Sequence, residues 1–401
     1  MSHSIPSKEF TVLMALMMSI VAISIDALLP ALGQIGNEMK VAHENDVQLI
    51  IGSIFGGMAI GQMIAGPSSD ALGRKPILYA GIALYLVGSV FCYFASDFHW
   101  LLVGRFIQGL GVSAPYVTSV SVVRDKYSGQ NMARVMSIVM MIFIIVPAIA
   151  PTLGQFVMHL AGWRAIFGLY IIYSITIGIW ISIRLEETLP ADKRSKVELK
   201  SFIREFKTVI SNRTTCLYMI CMGLLFGSFI GYLGASQQIF QVQFNVGEDF
   251  ALYFGGLALV FGGASLVNAK IVSKFGMRTI CQWSMGIVIL ISALFVVLHF
   301  VVDSVTLPMF IAYAIPLFFM FGLMFGNLNA IAMEPMGDVA GMASAIIGSV
   351  SSILSITLGT VTGQMYNNTL IPIAGGFAVL GAISLLLMRI EQKTSSKESD
   401  H

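Results

Sequence analysis

Two ionisable side chains stand inside long apolar runs of the sequence, where a charge is costly. Asp26 lies in the run that begins at Phe10, and Arg105 lies in a run from about residue 100 to 122. A charge at the centre of a bilayer costs roughly 2.5–3.5 kcal/mol on insertion scales, so such residues are usually paired or functional. A carboxyl group can take up and release a proton, whereas arginine keeps its charge. The two residues therefore predict either proton coupling at Asp26 beside a fixed charge or a static ion pair between helices.

The expected depths of Asp26 and Arg105 allow the two side chains to interact. Asp26 lies about eight residues, and Arg105 about five residues, inside the outer ends of their helices, which is about 12 Å and 8 Å at 1.5 Å per residue. Gln108 follows Arg105 by three positions and shares its helical face. Both charges therefore belong to the outer half of the membrane, with an amide beside the arginine.

The composition places these residues in a membrane protein. Only 23 Lys and Arg and 21 Asp and Glu occur among 401 residues, or 11%, against about 25% in soluble domains. Hydrophobic residues make up 56%, and the mean hydropathy is +0.84. A net charge of +2 gives no reason to expect a nucleic-acid partner. The four cysteines and the scattered histidines lack the spacing of a metal site, and the sequence has no phosphate-binding loop or nucleophile–base arrangement, so no enzyme is expected.

Twelve apolar segments are long enough to cross a bilayer, which needs about 20 apolar residues per helix. An even number of spans places both termini on one side of the membrane. The predicted spans are residues 10–34, 47–69, 77–95, 100–122, 133–159, 164–185, 214–240, 250–271, 279–302, 306–331, 341–366 and 371–390.

The basic residues indicate which side that is. With the N-terminus inside, the outer loops hold only Lys40 and Arg164, and Arg105 lies within a span. Without these three, 20 of the 23 basic residues lie on or near the inner face, as the positive-inside rule requires. We therefore expect a multi-pass protein of the cytoplasmic (inner) membrane with both termini in the cytoplasm.

A polar interval between the sixth and seventh spans divides the chain into two six-helix halves. We expect an N-terminal half over residues 1–189, a cytoplasmic linker over 190–213 and a C-terminal half over 214–401. Apolar positions at helical spacing in the linker predict an amphipathic helix on the inner leaflet, with a regulatory or lipid-sensing segment as the alternative. These positions are Leu199, Phe202, Ile203, Phe206 and Ile210.

The loops after the second and eighth spans preserve a trace of an internal repeat. GPSSDALGRKP occupies residues 66–76, and KIVSKFGMR occupies residues 270–278. Both combine a glycine with a nearby arginine, and Lys274 takes the place of the acid in the first copy. The simplest interpretation is a cytoplasmic turn in which Gly73 and Pro76 end the helices.

With these features the chain resembles the major facilitator superfamily over essentially its whole length, because GPSSDALGRKP matches the signature loop of that superfamily. The resemblance implies an all-α integral membrane fold with twelve transmembrane helices in two pseudo-symmetric halves. It also implies that the acid of the loop caps a neighbouring helix and that the basic pair tethers the halves, with Asp125 as a partner for Arg74. On this basis the gating residues of the first half are Gly66, Asp70, Gly73, Arg74, Lys75 and Asp125.

Other stretches resemble the Bcr/CflA group of drug:proton antiporters. RFIQGLG at residues 105–111 matches the proton-linked motif of the superfamily, and IDALLPAL at residues 25–32 places an aspartate before an LPAL run, as in that group. The antiporter motif of the fifth span is matched only in part, because Gln155 stands where a second glycine is usual. The partly matched residues, also expected to take part in gating, are Pro147, Pro151 and Gly154; Arg124-Asp125 and EETLP at residues 186–190 match the group as well.

In the superfamily fold the first, fourth, seventh and tenth spans surround a central cavity, so polar and aromatic residues of those spans are candidates for the substrate site. Amide side chains inside a span are costly unless paired or hydrated. Hydrogen bonds between packed helices explain them almost as well. The candidates are Ser19, Ile23, Gln108, Tyr116, Tyr232, Ser236, Gln237, Phe240, Asn327 and Asn329.

We therefore expect a proton-coupled secondary active transporter that exports amphiphilic drugs or related small organic compounds by alternating access. The proton gradient would drive it without a cofactor, and its partners would be the small-molecule substrate, protons and the lipid bilayer, with no nucleic acid and with a monomer as the working unit. An exporter of one native metabolite, such as a siderophore or an amino-acid derivative, and a proton-coupled importer remain alternatives. The intramembrane charges argue against a receptor or scaffold.

Overall fold

The structure is a computed structural model that describes residues 8–194 and 199–399. The described residues form helices and their connections, with no strand among them. Twelve helical segments are long and apolar enough to cross a membrane. The number and order of the predicted spans are therefore confirmed, although their ends differ by a few residues. A long apolar run can satisfy its backbone hydrogen bonds in lipid only as a helix.

The chain divides into two compact units, with the boundary between Phe202 and Ile203. The first unit contains six spans. Its helices are α1 (Lys8–Asp26) and α2 (Leu32–Glu38), which together form the first span, then α3 (Leu49–Leu72), α4 (Arg74–Tyr93), α5 (Phe98–Lys126), α6 (Gly129–Ala161) and α7 (Arg164–Arg184).

The second unit contains the other six spans. They are α9 (Arg213–Gln237), α10 (Phe250–Phe275), α11 (Met277–Val301), α12 (Leu307–Met333), α13 (Ala340–Gln364) and α14 (Ile371–Ser399). A π-helical turn, Gln238–Gln243, extends α9, so the seventh span ends with looser backbone winding.

The linker forms a short 3₁₀ turn, Ala191–Lys193, and the helix α8 (Leu199–Ser211). Residues 195–198 of the predicted linker, and residues 1–7 and 400–401 of the predicted halves, lie outside the described part of the chain. On α8, the apolar side chains of Ile203 and Ile210 are 47% and 42% exposed, which is the arrangement of a helix that lies against lipid.

The first span is interrupted at one place in the first unit. Pro30 lacks an N–H and its ring clashes with the carbonyl four residues earlier, which is that of Asp26. In agreement with this clash, α1 ends at Asp26, and a 3₁₀ turn, Leu29–Ala31, connects it to α2.

Both ends of the interrupted span are tied to α7. At one end, Arg184 pairs with Glu9 at 2.6 Å, and at the other end the Trp163 indole donates to Glu38 at 2.6 Å. Between these ends, the apolar side chains of α1 pack with those of α4, α5, α6 and α7 in one buried cluster. The interruption at Asp26 is thus held within a fixed frame of helices.

Candidate functional site

Asp26 occupies the last position of α1, directly before the interruption. Its side chain is 6% exposed. A helix C-terminus carries a partial negative charge, so the position disfavours a second negative charge unless a cation or a proton compensates it. The sequence predicted an intramembrane acid here, and the structure places that acid where the helix breaks.

Arg105 lies on α5 and is fully buried. Its Nη1 donates to Gln108 Oε1 at 2.9 Å, and its Nε donates to the carbonyl of Ile50 at 3.3 Å. Its Nη2 is buried with no hydrogen-bond partner. Gln108 lies on the same helical face and in turn donates to Ser89 Oγ on α4 at 2.8 Å. Arg105 therefore keeps one donor nitrogen unused in the membrane interior.

The structure does not pair the two intramembrane charges. No ion pair between Asp26 and Arg105 within 4.0 Å occurs among the residues that the structure describes, so the static pair considered from the sequence is not formed in this conformation. Tyr170 of α7 lies beside the same end of α1, because its hydroxyl bonds to the backbone carbonyls of Ile23 and Ser24. An unpaired acid thus lies at a helix end that a buried phenol binds, and a partly unsatisfied guanidinium lies on α5.

A second group of charges lies where α3 ends and α4 begins. Arg74 is 3% exposed on its side chain, and it binds Asp70 at 2.5 Å and Asp125 at 2.8 Å. Its Nη1 also donates to Ser69 Oγ at 2.9 Å. Gly73, with φ of +105°, makes the turn before it. The cluster joins the ends of the second, third and fourth spans of the first unit.

Glu187 completes this cluster, which the sequence showed only as part of the EETLP match. Its carboxylate accepts backbone N–H groups of Arg74 at 3.0 Å, Lys75 at 3.1 Å and Leu189 at 2.9 Å. It therefore caps the N-terminus of α4, where a negative charge is favourable. Burial opposes ionisation of the Glu187 carboxyl, but these donors and the charge of Arg194 outweigh it and lower its pKa below the ordinary value.

The other predicted gating residues lie in α3, α4 and α6. The carbonyl of Gly66 accepts from Ser69 Oγ at 3.0 Å, and the Lys75 ammonium lies over the Tyr79 ring. Pro147 and Pro151 lie inside α6, and Gly154 of the same helix touches the interruption of the first span at the carbonyl of Ala27.

The second unit carries a related charge cluster around Arg278, the arginine of the second loop copy. Arg278 binds Glu334 at 2.9 Å and Glu391 at 3.1 Å. Glu391 also accepts from Thr214 Oγ1 at 3.0 Å. The ends of the seventh, ninth, tenth and twelfth spans therefore meet at one arginine, although Lys274 replaces the acid of the first copy.

The predicted cavity residues of the first unit are buried or half-buried in it. Ser19 is fully buried and donates to the carbonyl of Ala15 on its own helix at 2.7 Å. Tyr116 and Ile23 are half-buried, and the Tyr116 ring lies 6.3 Å from that of Phe143.

The cavity residues predicted in the second unit fall into three environments. Tyr232, Ser236 and Phe240 are buried, and Asn329 is exposed. The amide of Asn327 exchanges two hydrogen bonds with Asn268, at 2.8 and 3.2 Å, and Gln237 donates to Gln241 at 3.0 Å. The Asn327–Asn268 pair is a bond between packed helices, which is the alternative considered for the amides, whereas the Gln237 bond stays within its own helical segment.

Several polar residues near Asp26 were not singled out from the sequence. Tyr170 and Tyr85 bond the end of α1, and Ser89 binds Gln108. Each is an isolated hydroxyl in an apolar helix, so spacing alone gave no signal. Pro30, four residues after Asp26, was the one available sign that the helix ends there.

The family model of the Major Facilitator Superfamily matches residues 11–360. The chain belongs to the Major Facilitator Superfamily. It is accordingly a transporter of small molecules, a multi-pass membrane protein and not an enzyme.

Three curated relatives match this facilitator over nearly its whole length. An uncharacterized MFS-type transporter of Bacillus subtilis is 28% identical, with 96% of each chain covered. The bicyclomycin resistance protein homolog of Haemophilus influenzae is 27% identical over 90% of each chain. The multidrug resistance protein MdtL of Citrobacter koseri is 28% identical over 94% of each chain. The names of the second and third relatives agree with the group that the sequence resembles.

Solved structures share the fold of this facilitator. A D-xylose-proton symporter superposes with a TM-score of 0.73 at 14% identity, covering 95% of this chain and 96% of that one. The human organic anion transporter MFSD10 superposes with a TM-score of 0.69 at 15% identity, covering 96% of this chain and 99% of that one. At this identity the likeness concerns architecture alone.

Proposed function

We propose that this transporter exports amphiphilic organic compounds, drugs among them, in exchange for protons. The observation that carries the proposal is the buried, unpaired carboxyl group of Asp26 at the interruption of the first span. Intramembrane acids of this kind mark proton or ion pathways. The names of the relatives, which refer to bicyclomycin and multidrug resistance, support drugs as the substrate class.

Asp26 is the proton-binding group in this mechanism. An ionised carboxylate at a helix C-terminus in the membrane interior is disfavoured, so the residue takes a proton unless a cation replaces it. Arg105 supplies a permanent positive charge, because its guanidinium does not deprotonate. Release of the proton exposes a negative charge that an amphiphilic substrate with a cationic group can compensate, and proton and substrate therefore exclude each other.

Alternating access requires the gating residues to make and break contacts during the cycle. The cluster around Arg74 is suited to this role, because it joins three span ends through ion pairs that are partly exposed to solvent. In the proposal, Asp70, Lys75 and Asp125 serve with Arg74 as a latch, and Pro147, Pro151 and Gly154 transmit movement of α6 to the first span. The protein works as a monomer in the cytoplasmic membrane, with both termini inside, and needs no cofactor.

The test is proton movement in proteoliposomes with an imposed pH gradient. Ethidium as a cationic probe, bicyclomycin as a neutral one and fluorescein as an anionic one are added in turn to vesicles holding the wild type, Asp26→Asn or Asp303→Asn. Asp303 is an exposed loop carboxylate and provides the matched control. Dissipation of the gradient by at least one probe in the wild type and in Asp303→Asn, but not in Asp26→Asn, supports the proposal. Equal dissipation in all three variants contradicts the role of Asp26.

The same vesicles distinguish the rival functions. Coupled movement of proton and compound in opposite directions indicates an exporter, and movement in one direction indicates an importer. Response to one compound that unrelated compounds do not compete for indicates a dedicated metabolite exporter.

A further inference from the structure

The end of α1 lacks part of its helical hydrogen bonding. Leu28 N donates to Ile25 at 3.3 Å, one residue short of Ser24, its α-helical partner. Pro30 has no N–H to offer to the carbonyl of Asp26. Carbonyls at such a helix end need other donors, because no water is present in the hydrocarbon region.

Tyr170 of α7 supplies one of those donors. Its single hydroxyl proton is shared between the carbonyls of Ile23 at 3.2 Å and Ser24 at 3.3 Å, and the whole side chain is buried. Removal of this hydroxyl would leave the Ser24 carbonyl without its replacement donor. Tyr170 therefore fixes the backbone two residues before Asp26.

Tyr85 of α4 holds the same turn through a side chain. Ser24 Oγ lies 2.5 Å from both the carbonyl of Ile20 and the hydroxyl of Tyr85. The single proton of the serine goes to the carbonyl, which can only accept, so the Tyr85 hydroxyl donates to Ser24 Oγ. Two phenols from two helices thus bind one residue of the interrupted span.

This arrangement is continuous with the Arg105 network. Ser89 Oγ donates to the carbonyl of Tyr85 at 2.8 Å and accepts from Gln108 Nε2 at 2.8 Å. Gln108 Oε1 accepts from Arg105 at 2.9 Å. An unbroken series of buried groups therefore runs from the fixed charge on α5 to the end of α1.

We propose that Tyr170 and Tyr85 are positioning residues that hold the interrupted end of α1 and link the protonation state of Asp26 to the Arg105 network. The inference rests on the proposed function, in which Asp26 exchanges a proton. Protonation of Asp26 changes the charge at the helix end, and in the wild type this charge sets how firmly the turn held by the two phenols stays closed. Without the Tyr170 hydroxyl, the turn opens whatever the state of Asp26.

The groups that face this turn come from the helices packed against α1. Tyr85 of α4 and Tyr170 of α7 bond to the turn directly. Arg105 of α5 is connected to it through Gln108 and Ser89. The helix α6 contributes Gly154 at the turn itself, and its titratable residues, Arg134 and His159, lie towards its two ends.

Tyr173 provides a matched control. It lies on the same helix as Tyr170, and its hydroxyl donates to a carbonyl of α1, that of Leu16, at 2.8 Å. Tyr170→Phe and Tyr173→Phe therefore each remove one phenol-to-backbone hydrogen bond between the same two helices. Only the first removes it at the interruption.

The experiment is hydrogen exchange of the full chain in lipid nanodiscs, read in peptides covering residues 23–32 over a range of pH and corrected for intrinsic rates. In the wild type we expect protection of these amides to vary with pH, and in Asp26→Asn we expect that dependence to be lost. In Tyr170→Phe, exchange should rise about threefold to tenfold and stay high at every pH, as expected for the loss of one buried hydrogen bond. Tyr173→Phe should keep the wild-type profile.

Three results would overturn the inference. They are a wild-type profile that does not depend on pH, a Tyr170→Phe profile equal to that of the wild type, and an equal loss of protection in Tyr173→Phe, which would show a merely structural role. None of these readings uses a substrate, so the inference can fail while the vesicle test of proton exchange succeeds. Conversely, the phenols can hold the turn even if Asp26→Asn vesicles still couple protons to ethidium.

Discussion

The carbonyl oxygen of Ala27 lies against Gly154 of α6 so closely that a Cβ added to the glycine would stand 1.7 Å from it. The contact joins the interruption of the first span to the part of α6 that follows Pro147 and Pro151. No residue with a side chain fits there without movement of one backbone. If the fifth span moves towards the first span at Gly154, it must therefore displace Ala27, the residue after Asp26.

Gly154→Ala should destabilise the protein and reduce transport. Overpacking of this kind costs about 1–3 kcal/mol, and unfolding of the purified protein in detergent, followed by tryptophan fluorescence, measures it. Gly178→Ala is the control, because its new Cβ would meet Ile82 at an ordinary 3.5 Å and should leave the stability unchanged or slightly higher. Equal stability of the two variants would show that the Ala27 contact relaxes freely.

Arg74→Lys should weaken the first-unit cluster even though it keeps the charge. The guanidinium binds Asp70, Asp125 and Ser69 at once, whereas an ammonium cannot reproduce that fork. We expect a loss of about 1–3 kcal/mol in the free energy of unfolding, together with slower drug-stimulated proton flux. Lys126→Arg should alter neither quantity, because this exposed side chain lies over the Phe10 ring and takes no part in the cluster. Wild-type stability and flux in Arg74→Lys would exclude the cluster as a latch.

The lowered pKa of Glu187 gives a prediction for pH. A carboxyl whose pKa is lower in the folded state stabilises that state above its ordinary pKa, about 4.3 for glutamate, and loses this contribution as the pH falls through the lowered value. The stability difference between the wild type and Glu187→Gln should therefore be constant above about pH 5 and shrink below about pH 4. The free energies of unfolding of the wild type and Glu187→Gln, measured at several pH values, test this prediction. A difference that grows towards acid pH would have the wrong sign.

In the second unit, the two acids bound to Arg278 should differ in importance. The Glu391 side chain is 2% exposed and that of Glu334 is 52% exposed. Glu391→Gln should cost about 1.5–3 kcal/mol, because it weakens charge-assisted bonds in a dry environment. Glu334→Gln should cost no more than about 1 kcal/mol, as is usual for exposed pairs. The free energies of unfolding of the two variants test this prediction. A larger loss of stability in Glu334→Gln than in Glu391→Gln would contradict it.

The sequence was sufficient for the twelve spans, because apolar length and the backbone's need for hydrogen bonds leave a helix as the structure in lipid. It also drew attention to Asp26 and Arg105, since charges are rare in such runs. It was not sufficient for what surrounds them. Tyr85 and Tyr170 lie 61 and 146 residues from Ser24, and only packing brings them to the end of α1.

The interruption itself shows the same limit. A membrane helix can continue past a proline, as α5 does at Pro115, so Pro30 alone did not fix where α1 ends. Here the 3₁₀ turn after Leu28, the bond from Tyr170 and the contact of Gly154 with Ala27 together determine the break. Local pattern located the acid, and long-range contacts determine its surroundings.

The most direct test of the central claim is proton release when a drug binds. Ethidium is added to the detergent-solubilised protein in an almost unbuffered solution, and the pH change is followed for the wild type, Asp26→Asn and the exposed control Asp303→Asn. We predict that the wild type and Asp303→Asn release protons as ethidium binds and that Asp26→Asn binds ethidium without releasing any. Proton release from Asp26→Asn equal to that of the wild type would contradict the assignment of Asp26 as the proton-binding group.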